Sequence, residues 1–413
     1  MVPMRRKILP LAVLIGLALA GCQAPASSSI RPTPQPKIET TANNPVEPTF
    51  TPTPLAPTPT ATILAEPIEL TATVWGQLPQ VPILMYHRFD PRPGARSSRF
   101  TTSLDEFSQH LQTLYDAGFS LISLSDWLRG EIHLQEGRRP LIISIDDLFF
   151  ADQISLDENG VPALYSAVGV LWDFAQKNPD FNFHAALFYN LGDKGYANHY
   201  QNGVFSLQDG WRQARAEAIA WAVEHDAMPM NHFYKHPYLD QLSPEEIQQQ
   251  MADNDSALRE ALARVGREDL NGRLPNILAL PYVVLPDTEA GLQALYDYIN
   301  PEGAPVAAII AGDYAGGPRL LPAPFAPEYD RWHVSRISAS TSSVTAIVER
   351  IDQIPTASQC KLGEFRGNPH VLPEVVSAAI REKVHLGTCP PGYYVVGQLA
   401  FLVQGKEIIQ YAP

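Results

Sequence analysis

Long apolar runs are scarce in this 413-residue chain. The one candidate, Ile8–Ala20, follows Arg5, Arg6 and Lys7 and is short for a membrane span. No later run approaches transmembrane length, so the remainder is expected outside the bilayer. Positive charge is also in short supply. Lys plus Arg number 30 against 44 Asp plus Glu, a net charge of −14. That balance argues against nucleic acid and anionic lipid as partners, and it leaves the substrate open. Cysteine is rarer still, with Cys22, Cys360 and Cys389 alone.

The few residues of each scarce kind are well placed. The positive cluster, the apolar stretch and Leu19-Ala20-Gly21-Cys22 follow in the order of a lipoprotein signal peptide over residues 1–22. The Cys22 thiol would then carry lipid and anchor an extracytoplasmic protein to the cell membrane. An ordinary signal peptide with an incidental cysteine is the alternative. In an oxidising compartment Cys360 and Cys389 could form a disulfide, which spacing alone leaves open.

Residues 23–76 are rich in Pro, Thr, Ala and Ser and read as a disordered tether, able to reach on the order of 150 Å if extended. Beyond it, short apolar strands alternate with amphipathic helices. Val81–Tyr86, Phe119–Leu124, Leu141–Ile145, His184–Asn190, Ile277–Tyr282, Val306–Ile310 and His333–Ser338 read as strands. Helices are expected from a capping box at Ser103 and Glu106, over Ala163–Lys177 and Ala214–His225, and from Ser243 with Pro244 and Glu246. This alternation predicts an α/β fold, a distorted (β/α) barrel over residues 77–355, with chemistry at the strand C-termini. Residues 356–413 read as a small extension. It has a helix from Pro373 to Lys383 and a hairpin from Tyr393 to Tyr411 turning at Gly405.

Candidate site residues fall at predicted strand ends. Asp146-Asp147 offers one carboxylate to a metal and one to proton transfer, although an Asp-Asp pair is also a common solvated turn. His232 and His236 are four apart, which on a helical turn puts both imidazoles on one side. With Asp147 they make three ligands and leave room for water, as catalytic zinc sites do. His87 ends the first strand and reads equally well as a buried loop-fixing histidine. Asp313 could line the groove or serve a turn. His333 and Arg336 read as structural, and Trp127, Trp172, Trp211 and Trp221 as packing residues.

Taken together, Ile83-Leu-Met-Tyr-His-Arg-Phe89, Ser144-Ile-Asp-Asp-Leu148, Asn231-His-Phe-Tyr-Lys-His-Pro-Tyr-Leu239 and Ala279-Leu-Pro-Tyr282 resemble, in order and spacing, the motifs of the polysaccharide deacetylase (NodB-homology) family of carbohydrate esterases. The resemblance covers roughly Gln80 to Ile354. It implies a divalent metal, zinc first, held by Asp147, His232 and His236. It matches Asp146 to the general base and His87 to the general acid. It places the Tyr282 backbone N–H at the oxyanion, with Pro281 and Tyr282 beside the substrate. The implied activity is removal of N-acetyl groups from a cell-wall or exopolysaccharide. Departures stand at Leu148 and Val283 in place of Gly, Phe233 in place of a hydroxyl residue, and Leu280 where many members carry Arg. The changes at Leu148, Phe233 and Val283 keep open a non-catalytic glycan-binding lipoprotein with a degraded site. An O-acetyl esterase is a further alternative.

Overall fold

The computed structural model describes residues 68–148, 152–192, 210–312, 319–365 and 372–411. The signal segment with Cys22, the tether as far as residue 67, and Asp313 lie outside them.

The first described strand, β1 (Ile68–Trp75), belongs to a second sheet taken up below. The chain then lays down β2 (Ile83–Tyr86), β3 (Phe119–Leu121), β4 (Arg139–Leu148), β5 (Ala185–Tyr189), β6 (Ala227–Asn231), β7 (Ile277–Ala279), β8 (Ala308–Ile310) and β9 (Ile337–Ser338). Every pairing among them is parallel, in the order β8-β7-β6-β5-β4-β2-β9, with β3 beside the start of β4. One short segment reaches both edges. Val334 bridges Ile310 in parallel, while Ile337 and Ser338 pair with Leu84 and Met85. The sheet thus curls round on itself, and residues 334–338 close the distorted (β/α) barrel.

The strands are apolar on both faces because both faces are covered. Ile83, Ile142, Ala186, Phe188, Met230, Ile277, Ile310 and Val334 pack together inside the barrel. Leu84, Ile143, Ile145, Leu187 and Tyr189 face outward against helices such as Leu104–Asp116 and Gly210–Glu224. Period-2 alternation then decides what reaches the barrel mouth. The inward files 83-85-87, 142-144-146, 228-230-232 and 334-336 end in His87, Asp146, His232 and Arg336.

Several boundaries differ from expectation for local reasons. The helix expected from Ala163 starts at Ala167, because the Ser166 hydroxyl accepts from Gly169 N–H and fixes the cap there. The full capping box forms at Ser243 and Glu246. At Ser103 only half of it forms, since the Glu106 carboxylate turns away to accept from Thr341 Oγ1 at 2.5 Å. The strand expected over His333–Ser338 narrows to Ile337–Ser338.

The tether expectation needs correcting. Ile68–Trp75 is not part of a tether but an interior strand of a five-stranded antiparallel sheet. Its partners are β10 (Ser358–Phe365), β11 (Gly392–Val396), β12 (Leu399–Gln404) and β13 (Glu407–Tyr411), in the order β10-β1-β11-β12-β13. The C-terminal extension is therefore completed by residues that precede the barrel. Ala72, Val74, Leu362, Val376, Ile380, Tyr394 and Phe401 form its core beneath the helix Pro373–His385. Within it Cys360 and Cys389 are disulfide-bonded, their Cα atoms 5.7 Å apart. The single hairpin expected near the C-terminus is two, with turns at Gly397 (φ 56°) and Gly405 (φ 60°), where left-handed backbone suits glycine.

Candidate metal centre

The site begins with an irregularity in β4. Its register against β5 shifts between Ile145 and Leu148, and Asp147 takes left-handed backbone (φ 55°). A bulge of this kind re-aims side chains, so two successive carboxylates reach the same mouth instead of opposite faces. Leu148, where a glycine was expected, is buried and still pairs with Tyr189. The unusual backbone falls on Asp147 itself.

The two histidines arrive differently from the expected helical turn. His232 follows directly on β6, and residues 232–238 form a loop in which Phe233 (φ 62°) and His236 (φ 50°) are left-handed. An asparagine pair holds this shape. Asn231 Oδ1 accepts from Phe233 N–H at 2.9 Å and from Asn254 Nδ2 at 3.1 Å, while Asn231 Nδ2 donates to Asp255 at 2.9 Å. Phe233 lacks the hydroxyl expected there, and its ring is fully buried. The asparagine supplies the hydrogen bonding instead.

Asp147, His232 and His236 converge, each offering a ligand atom within 4.8 Å of the others. His236 Nε2 lies 3.3 Å and His232 Nε2 3.5 Å from Asp147 Oδ1. His232 Nδ1 donates to the Ala279 carbonyl 2.9 Å away, which turns Nε2 towards Asp147; burial works against the charged ring, but Asp146 and Asp147 outweigh it and raise its pKa. Burial, with His232 beside it, pushes the His236 imidazole down to about 4, so that ring is neutral at physiological pH. Burial works against the charged form of Asp147, but the hydrogen bond from His232 and the charge of that ring outweigh it and hold the carboxyl below the usual carboxylate range. One anionic oxygen and two imidazole nitrogens at such spacing suit a divalent cation.

Asp146 is 2% exposed and stays charged for a separate reason. Burial alone would raise its pKa, but Arg336 reverses that and holds it below the usual carboxylate range. The guanidinium grips both oxygens, Nη1 to Oδ1 at 2.5 Å and Nη2 to Oδ2 at 2.8 Å. Further bonds to the Ala311 carbonyl and Ser144 Oγ fix the fork. Arg336, read from sequence as structural, thus sits in the site. It occupies the role that Leu280, buried in an apolar cluster, cannot fill. Gln153 was also missed. Its Nε2 donates to the backbone carbonyls of His87 and Asp146 and ties those two strand ends together.

Around this centre, His87 is near enough for Asp146 and Asp147 to act on it. Burial dominates, however, and lowers its pKa against their pull. Tyr282 (φ 54°) sets its ring 4.4 Å from His236 and stacks on Tyr238 at 4.0 Å, with both tyrosines nearly half exposed. Pro281 is buried. His333 is exposed, whereas Trp127 and Trp221 are packed as expected.

No protein-family model matches the chain, and no curated protein is similar to it in sequence. In fold it is similar to solved deacetylases. The Streptococcus pyogenes deacetylase PplD, in complex with acetate, aligns at TM-score 0.43 and 16% identity over 66% of this chain and 99% of its own. IcaB from Ammonifex degensii aligns at 0.41 and 18%, over 67% and 99%. A de-N-acetylase from Aggregatibacter actinomycetemcomitans aligns at 0.41 and 12%, over 65% and 99%.

Proposed function

We propose that this chain is a metal-dependent hydrolase that removes N-acetyl groups from an extracytoplasmic polysaccharide. One observation carries the reading: a buried, ionised carboxylate, Asp146, is locked by Arg336 beside the Asp147–His232–His236 triad. A divalent cation held by that triad, zinc being the first candidate, supplies a Lewis acid that acidifies water and polarises an acyl carbonyl.

The chain's own residues do the rest. Asp146 accepts the proton of the attacking water, and Arg336 keeps it charged and aimed. His87, at the end of the adjacent inward file, delivers a proton to the leaving nitrogen as the C–N bond breaks. The exposed Tyr238–Tyr282 pair offers aromatic surface against which a pyranose ring can lie. The signal-like N-terminus and Cys22 supply the extracytoplasmic, lipid-anchored setting.

The degraded-site alternative rests on Leu148, Phe233 and Val283. Asn231 fixes the loop at Phe233 and Arg336 holds Asp146 charged, which supports an active site. The deciding experiment is metal analysis of the purified protein, with acetate release from N-acetylated oligosaccharides and from O-acetyl esters. Release that a chelator abolishes and zinc restores is expected, with amides preferred. Protein that binds no zinc, cobalt or nickel and releases no acetate would sink the enzyme reading.

A further inference from the structure

One buried titratable side chain has no part in the chemistry above. His110, on the helix Leu104–Asp116, is 2% exposed and packs behind β2. Both of its ring nitrogens are engaged. Nδ1 lies 3.1 Å from the hydroxyl of Tyr86, the last residue of β2. Nε2 lies 3.3 Å from Oγ1 of Thr341, the first residue of the helix Thr341–Glu349, and 3.4 Å from Glu106 Oε1. The ring therefore bridges β2, which leads straight into His87, and the residues that follow the closing segment 334–338. The seam between those two elements is short. Ile337 and Ser338 pair with Leu84 and Met85, and Ala339 N–H donates to the Met85 carbonyl at 2.9 Å.

Hydrogen-bond balance assigns each proton. Burial works against the charged form of Glu106, but hydrogen bonds from Ser97 and Thr341 outweigh it and hold the group below the usual carboxylate range. An ionised carboxylate can only accept, so the Thr341 hydroxyl donates to it at 2.5 Å. Thr341 Oγ1 must then accept from His110, which puts the ring proton on Nε2. Nδ1 is left to accept from the Tyr86 O–H, a phenol that burial keeps protonated. Each donor meets an acceptor while the imidazole is neutral. A second ring proton would sit on Nδ1 and face the Tyr86 O–H. Tyr86 is 1% exposed, so its hydroxyl would have to give up that acceptor inside the core.

We propose that neutral His110 is a positioning residue that latches the closing segment to the end of β2, and that uptake of a proton releases the latch. The effect reaches the site because β2 leads into His87 and the closing segment carries Arg336, which grips Asp146. Acid would loosen both proton-transfer groups together and leave the metal ligands, on β4 and the loop after β6, in place. The latch rests on the hydrogen bonds, and its control of activity rests on the hydrolase reading. The groups facing the ring are Tyr86 from β2, Thr341 from the helix after the closing segment, and Glu106 from its own helix. Burial lowers the His110 pKa against the pull of Glu106, the one charged group among the described residues that acts on it. The latch therefore gives stability that is complete above the unfolded histidine value of about 6.5 and is lost as pH falls through the lower folded value.

The test uses the full chain. Imidazole nitrogen NMR, assigned with His110→Gln, should find a neutral ring protonated on Nε2 at neutral pH and titrating below about 6.5. Tyr86→Phe removes a bond to the neutral ring and should move that titration upward, which a purely packing role would not do. Hydrogen exchange over residues 334–341, corrected for intrinsic rates, reads the seam. In native protein its protection should fall in acid by about tenfold for each pH unit that the latched ring resists protonation. In His110→Gln protection should already be about fivefold lower at neutral pH, the worth of one hydrogen bond, and the fall attributed to this ring should vanish. With zinc loaded, kcat should drop by a similar factor while KM and bound zinc hold. A ring protonated on Nδ1 or charged at neutral pH would overturn the proposal, as would the same acid response in native protein and His110→Gln. Thermal melting checks the fold, and if His110→Gln does not fold, an unmoved titration in Tyr86→Phe overturns it instead. If the seam loosens through His110 but no acetate is released at any pH, the hydrolase reading fails and the latch stands.

Discussion

Replacing Arg336 with Met tests the site at its least obvious residue. In the native protein two buried charges face each other with contacts of 2.5 and 2.8 Å. At a charge separation near 4 Å and an effective dielectric of about 20, their attraction is worth about 4 kcal/mol. Met fills similar volume but leaves Asp146 buried and unpaired, which should destabilise the protein by about 3–5 kcal/mol. His232 Nε2, 3.8 Å from Asp146 Oδ2, offsets part of this and favours the lower end. The pH dependence has a definite sign. The depressed native pKa of Asp146 gives stability that is complete above the unfolded carboxylate value of about 3.9 and is lost as pH falls through the lower folded value. Without Arg336 only the smaller pulls of His232 and His87 oppose burial, so the folded-state pKa of Asp146 rises and less of that stability remains. The stability gap between native and variant protein should therefore be widest at neutral pH and narrow as the solution is acidified. Urea unfolding of chelator-treated protein across pH 3.5–7.5 reads this directly. Arg336→Met/Asp146→Asn should be more stable than the sum of the single changes allows. A variant within about 0.5 kcal/mol of native at neutral pH, or a gap indifferent to pH, would refute the argument.

Three further outcomes follow from the same geometry. Asp147→Ala and His236→Ala should each reduce bound zinc to a small fraction of the native stoichiometry, because three protein ligands converge among the described residues and each change removes one; elemental analysis after dialysis checks this. Val283→Gly should raise stability by about 1 kcal/mol, since Val283 is a β-branched residue at φ 60°; the urea midpoint reports it, and a loss would show that its packing outweighs the strain. Cys360→Ser/Cys389→Ser should cost about 3–4 kcal/mol, as expected for opening a loop between cysteines 29 residues apart, and calorimetry under oxidising conditions measures it.

What the sequence revealed tracks how locally each feature is encoded. The ligands stood out because metal binding leaves short-range spacing: adjacent aspartates, and histidines four apart. Even so, the helical turn inferred from that histidine spacing is a loop with two left-handed residues, and spacing alone cannot separate the two. Arg336 has its partner 190 residues away, so no neighbouring pattern marks it. Parity could have. Val334 and Arg336 share one face of a barrel strand, and an arginine on an inward file must be paired. Strand β1 was masked by its neighbourhood. Ile68, Leu70, Ala72 and Val74 alternate as a half-buried strand should, but the Pro-Thr composition upstream was carried over them. Its partners lie roughly 300 residues on, beyond the reach of any window.

The closing segment ties fold to chemistry more tightly than the motifs do. Residues 334–338 hydrogen-bond to β8 through Val334 and pair with β2 through Ile337 and Ser338, and Arg336 lies between those two anchors. The guanidinium is aimed only when both edges of the barrel are engaged. Its bond to the Ala311 carbonyl ties it to the β8 edge, and its bond to Ser144 Oγ ties it to β4. Ser144 in turn donates to the Leu84 carbonyl on β2. The orientation of Asp146 is thus set by three strands and the segment that joins their sheet into a barrel. Carried on the closing segment, Arg336 makes a correctly held base and a closed barrel one structural condition. Loosening Val334 against Ile310 should then weaken catalysis before it removes the metal, whose three ligands lie on β4 and on the loop after β6.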